Sequence, residues 1–482
     1  MFKERWNDLT PSRRCDWIDQ LRGWAVIVMI EVHVVNVWLH QGLAPGWLNY
    51  LNGLVAPSFT MAAGFSLAIS TFKFDGTLRP FWPDTVRRLG FILLCAYALH
   101  APGITLADWT VLGTAQKFRE LFKIDVLQCI VFSLLLLQGL ARLVRNPKVF
   151  TALALFIAIG VPLVSPSMWA TGVADGLWLP IRGLFNGNPD RGVQALFPLF
   201  PWVAFPAFGA FLGGLYRHFR VEPIHGQARW SEARYLVALA LLGAALLAWG
   251  QPMQQSWLWK GTWFQQHGVW MLQSKSGAFT YAELSSIGNT TLPSVAARLG
   301  WILMGGAVMG LVELLRRAWP GPNPIKAASN ESLLLYMLHL NMLFSVLLAP
   351  VVVGLTGWGW YSLGWVGTLT MTAVVIALNL WAGVVWQNIR KTPDFMRRLQ
   401  RLAVAVLGVW FVVGGWWTVR HYVTSPELAK EPYLFLNAAR VRKGLPPTTD
   451  GLSHDPKEAA QEKARRGLRL NDEERRLLES TL

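Results

Sequence analysis

Apolar and polar residues fall in long blocks along this chain. Runs of around 20 apolar residues, enough to cross a bilayer as helices, occupy approximately 21–40, 47–72, 88–107, 126–144, 149–168, 194–215, 233–250, 297–315, 331–354, 360–387 and 402–420. The pattern predicts an all-α, polytopic integral membrane protein of about 10–11 transmembrane helices. Between the runs sit basic clusters at Arg13/Arg14, Lys73–Arg88, Arg142–Lys148, Arg217–Arg234, Arg316–Lys326 and Arg390–Arg401. A cytoplasmic N-terminus puts all six on one side, as the positive-inside rule requires; Lys117, Arg119 and Lys123 are the exception. The expected division is an N-terminal cytoplasmic segment over 1–19, a transmembrane domain over 20–422 and a soluble tail over 423–482. Within that tail, Glu458 to Leu478 has a helical pattern. Residues 1–19 lack an apolar h-region, so the first span itself is expected to direct insertion.

Composition agrees. Hydrophobic residues make up 53% of the 482, and charged residues only 15%, against about 25% in ordinary soluble chains. The formal charge of +16 resides in those short inter-span clusters, which argues for a membrane rather than a nucleic-acid partner. Cys15, Cys95 and Cys129 are too few and too scattered for a disulfide framework or a metal site, so no metal is expected.

The first span carries the most telling polar positions: Asp19, Arg22, Glu31, His33, Asn36 and His40. An ionisable group in mid-bilayer costs several kcal/mol on insertion scales. At about 100° per residue, the steps from Arg22 to His33 come to three turns plus roughly 20°, so the two share a face. Asp19 lies about 60° from Arg22, Asn36 and His40 follow on that side, and Glu31 points away. The helical rise sets His33 roughly 16 Å deeper than Arg22. His33 fits either a packing histidine or a buried base reached from the Arg22 side.

Further polar features interrupt other spans. Arg87-Arg88 open the third, as ordinary membrane anchors or as fixed charges for a phosphate-bearing ligand. Asp125-Val-Leu-Gln128 opens the fourth. Three prolines between Phe197 and Tyr216 must bend or break the sixth, while Gly209, Gly213 and Gly214 permit close helix approach. Asn330, Tyr336, His339 and Asn341 bring a polar patch into the ninth, with Asn330 as its expected cap. Two outside loops are long, 169–193 and 250–293. The second holds Trp257, Trp259, Trp263 and Trp270 among amides and hydroxyls, which suits sugar stacking or an interfacial aromatic belt.

Asp19-x-x-Arg22-Gly23 followed by His33 resembles the transmembrane acyltransferase superfamily, to which the acyltransferase 3 family is related. Val126-Leu-Gln128, Phe197-Pro-Leu-Phe-Pro-Trp202 and Asn330-x-Ser332…Tyr336-x-x-His339 are similar to its heparan-α-glucosaminide N-acetyltransferase-like branch. Pro57 to Gly64 resembles the family's second-span motif. The anchors cover residues 13 to about 345. The resemblance implies an enzyme that moves an acyl group, usually acetyl, from cytoplasmic acyl-CoA to a hydroxyl or amine of a glycan or glycolipid across or within the cell (inner) membrane. It implies catalytic roles for His33, Asp19 and His40, with His33 favoured over His40 as base. Arg22, Arg87, Arg88, Gln128, Asn330, Tyr336 and His339 would serve the donor. Acyl-CoA is then a substrate, and no permanently bound cofactor is expected. The competing class is a transporter or flippase with a buried polar relay; the absence of an evident inverted repeat weighs modestly against it. Oligomeric state, a homodimer included, stays open.

Overall fold

The computed structural model describes residues 9–11, 14–40, 43–73, 75–81, 83–101, 103, 106–109, 121–171, 173–187, 195–255, 290–316, 323–345, 363–414, 448–449 and 452–453. The Trp257–Trp270 stretch and the helical pattern from Glu458 lie outside them. Eight helical stretches among the described residues are long and apolar enough to cross a membrane. They define an all-α multi-pass membrane protein; among the described residues the strand content is one two-residue antiparallel pair, Thr448–Thr449 with Leu452–Ser453. The described part of the ninth predicted span is a short apolar stretch, Ser332–Leu343. The third is a 16-residue helix, Asp84–Leu99.

Two compact units share the helix α1 (Asp16–Trp38), which belongs to the first as far as Ala25 and to the second from Val26. Unit one contains α2 (Val55–Thr71), α3 (Asp84–Leu99), α4 (Val126–Val144), α5 (Pro147–Thr171), α6 (Leu179–Phe185), α7 (Leu199–Trp202), α8 (Ala204–Tyr216), α9 (Glu232–Gln255), α10 (Leu292–Arg316) and α11 (Pro324–Asn330, to Ser329). The proline-rich sixth span does break, giving α7 and α8, with a non-helical Phe200 and a cis Phe200–Pro201 bond. Pro206 costs little because it falls in the first turn of α8, where its missing N–H has no intrahelical partner. Beyond it, α8 lies backbone to backbone on α2. A methyl group on Gly64 would overlap the Pro206 carbonyl, and one on Gly209 would overlap that of Met61. Without hydrophobic drive between helices in lipid, such small-residue contacts supply the dispersion energy that holds them.

Buried ionic and amide groups stitch unit one further. Arg220 NH2 donates to Glu232 Oε2 at 3.1 Å, and its NH1 to the Trp230 carbonyl at 2.7 Å. Gln20 Nε2 donates to Glu313 Oε2 at 2.8 Å, while Arg316 grips both oxygens of that carboxylate at 2.7 and 2.8 Å. Gln138 Nε2 donates to Thr71 Oγ1 at 2.9 Å.

Unit two contains α1 from Val26, α12 (Ser332–Leu340), α13 (Trp365–Arg390) and α14 (Pro393–Val409). The buried face of α13 is Thr368, Thr372, Val375, Asn379 and Gly383, a spacing of three and four that marks one helical stripe. Gly383 faces the Leu335 side chain at contact distance, so α12 packs on that stripe. Glu331 precedes α12 and accepts from Arg390 at the end of α13. α14 has no buried residue. It starts at Pro393, nine residues before the predicted eleventh span, and carries Asp394, Arg397, Arg398 and Arg401 in its first half.

Candidate active site

In unit two the structure joins His33 and His339, which are 306 residues apart in sequence: His339 Nε2 lies 3.2 Å from His33 Nδ1. Each ring has a second contact one turn back on its own helix. His339 Nδ1 is 2.7 Å from the Leu335 carbonyl, and His33 Nδ1 is 2.8 Å from that of Met29. A carbonyl oxygen can only accept, so both Nδ1 atoms carry hydrogen. His339 Nε2 then bears a lone pair and accepts from His33 Nδ1–H, which is shared with Met29. The remaining lone pair of a neutral His33 is on Nε2. Two neutral imidazoles satisfy the geometry without importing a charge into the span. His339 is fully buried and His33 half-buried. Tyr336, also buried, meets His339 edge to face at 5.8 Å between ring centroids.

The other expected residues of this unit fall differently. His40 does not share the helical face of His33, because α1 ends at Trp38. Leu39 instead pairs with Leu363, and the His40 N–H donates to the Leu363 carbonyl at 2.8 Å. Its ring is therefore placed by an extended backbone. Asn330 is not the cap of α12: it ends α11, is exposed, and leaves the cap position to Glu331. Sequence reasoning missed Asn379. It is fully buried, and its Nδ2 donates to the Val375 carbonyl at 2.8 Å, while its Oδ1 has no donor. A lone amide inside the apolar run 360–387 was the available signal.

In unit one, Arg22 NH2 donates to the Ser329 carbonyl at 3.1 Å. The contact is possible because Gly23 lets α1 approach α11: a methyl group there would overlap the Ile325 carbonyl. The buried Ser329 hydroxyl has no partner. The charges of Asp19 and Arg88 both act on Arg22, one attractive and one repulsive. Asp19 itself accepts from Arg14 Nε at 3.3 Å. Arg87 and Arg88 are exposed, Arg87 with a loose 3.7 Å pairing to Asp84. Gln128 has a structural duty: its Oε1 accepts the Asp125 N–H at 3.2 Å while Asp125 caps α4, a capping box. Its buried Nε2 has no partner. Among the described residues, no group of three or more His, Cys, Asp or Glu side chains could hold a metal ion.

Eight long apolar helices among the described residues define a multi-pass membrane protein, and its second unit carries two facing imidazoles, His339 buried and His33 half-buried. The catalytic-domain model of heparan-alpha-glucosaminide N-acetyltransferase matches residues 14–249, just under half of the chain. Over that region the chain is similar to the catalytic domain of the heparan-alpha-glucosaminide N-acetyltransferase family. The match includes Asp19, Arg22, His33 and Gln128 and stops short of His339. No curated protein matches the chain.

Proposed function

We propose that the protein transfers an acetyl group from cytoplasmic acyl-CoA to an amine or hydroxyl of a glycan or glycolipid at the cell membrane, with His33 Nε2 as general base. The observation that carries this reading is the commitment of His33 Nδ1–H to Met29 and His339, which leaves the basic lone pair on Nε2. The acceptor's proton goes to that nitrogen as its nucleophilic atom attacks the thioester carbon. When the tetrahedral adduct collapses, the C–S bond breaks and the thiolate of coenzyme A receives the proton.

Arg22, aided by Arg88, supplies positive charge for the donor's phosphates. The basic clusters between spans support placing this end of α1 on the cytoplasmic side. The capping role of Gln128 argues against giving it to the donor.

Purified Arg22→Ala protein tests the donor half. Acetyl-CoA binding should weaken about 10- to 150-fold, the equivalent of a lost charged hydrogen bond of about 1.5–3 kcal/mol. Unchanged affinity would remove Arg22 from the donor site.

A further inference from the structure

The imidazole–imidazole contact in unit two reassigns a residue, and the inference rests on the general-base reading of His33. We propose that His339 is not a donor-binding residue but the positioning partner of the base, fixing the His33 tautomer and sharing the proton His33 abstracts. His339 is held from both ends of its ring, Nδ1–H on Leu335 and Nε2 toward His33 Nδ1. It is fully buried, so it does not itself meet a diffusing phosphate. With its own Nδ1 proton tied to a carbonyl, its Nε2 can only accept, and the atom facing it is the Nδ1–H of His33.

The consequence for the reaction follows atom by atom. His33 Nε2 takes the acceptor's proton and the ring becomes cationic. The hydrogen bond from Nδ1–H to His339 Nε2 then becomes charge-assisted, which roughly doubles its strength. The charge is spread over two rings, or passes wholly to His339 when that proton crosses the 3.2 Å bond. Return of the proton to Nδ1 restores the His33 imidazolium, whose Nε2–H protonates the departing thiolate. Both rings end neutral and no co-reactant is consumed. A second imidazole thus substitutes for the carboxylate that orients histidine in many catalytic triads. It does so without a permanent charge in the span.

The test uses the full chain in washed membranes, with radiolabelled acetyl-CoA titrated and label followed into membrane glycans. His339→Leu removes acceptor and proton site together, and the maximal rate should fall about 100-fold with the KM for acetyl-CoA unchanged. His339→Gln offers an amide oxygen to His33 Nδ1–H but no proton site, and should recover about tenfold of that loss. Nitrogen-15 histidine spectra of the detergent-solubilised protein should show His33 protonated at Nδ1 in the wild type and the Gln variant. A wild-type rate in His339→Leu, or a raised KM with the rate kept, overturns the proposal. Should His339→Leu fail to assemble, the Gln variant decides: a wild-type rate there sinks proton sharing. His33→Ala separates the two levels. If it is inactive while His339→Leu is fully active, only the pairing fails; if it is active, the general-base reading fails as well.

Discussion

The two units treat buried polarity in opposite ways. In unit one the buried ions come with fixed counter-charges: Arg220 with Glu232, and Glu313 with Arg316, that carboxylate also accepting from the neutral Gln20 amide. These are closed arrangements whose charge is spent on holding helices together. In unit two, Glu331 with Arg390 is of the same kind, but other polar groups are different. His33 and His339 hold each other as neutral rings, and Asn379 keeps an oxygen without a donor. A salt bridge in a membrane protein stabilises by staying as it is. An imidazole pair with the tautomers its contacts imply can take up a proton at His33 Nε2 while both Nδ1–H groups keep their acceptors, and that is the capacity a catalyst needs.

Breaking each kind should therefore give distinct phenotypes. The largest expected effect on stability is Glu232→Leu, which takes the carboxylate away from the buried Arg220 charge. Loss of one partner of a buried pair costs about 3–5 kcal/mol, and should lower the thermal midpoint of the purified protein far more than any substitution at the imidazole pair. A midpoint within error of wild type would show that the network is not structural. Next comes Gly64→Ala, which forces α2 off α8 at the Pro206 carbonyl. Overpacking of this kind costs about 1–3 kcal/mol, read as a lower midpoint with acetyl-CoA affinity retained per folded molecule. An unshifted midpoint would mean that the two helices separate freely at this point.

Much of this contrast was legible in the sequence, and its limits have physical causes. The run 126–144 coincides with α4 because an aspartate cap and a capping-box glutamine mark its start. The break in the sixth span followed from proline stereochemistry. Arg22 and His33 stood out because lipid makes such residues costly. The pairing of His33 with His339 had no local signal, since a contact across 306 residues is set by tertiary packing. The partner of Arg22 is a backbone carbonyl, which no side-chain pattern encodes. His40 was misplaced because helical geometry was extended past Trp38, where pairing with Leu363 ends α1. The cap position falls at Glu331 rather than Asn330 because a cap depends on where the preceding helix stops.

The central claim is that His33 is the proton-abstracting group and not a packing residue. The most direct measurement compares His33→Ala with wild type in two assays on the same purified, membrane-reconstituted protein: equilibrium binding of acetyl-CoA and acetyl transfer to membrane glycans. The account predicts donor binding within a factor of two of wild type and transfer lowered by about 10²–10⁴-fold, the usual cost of a lost general base, while His40→Ala stays active. Transfer that survives in His33→Ala, or an acetylated histidine trapped on the wild-type protein without acceptor, would contradict it.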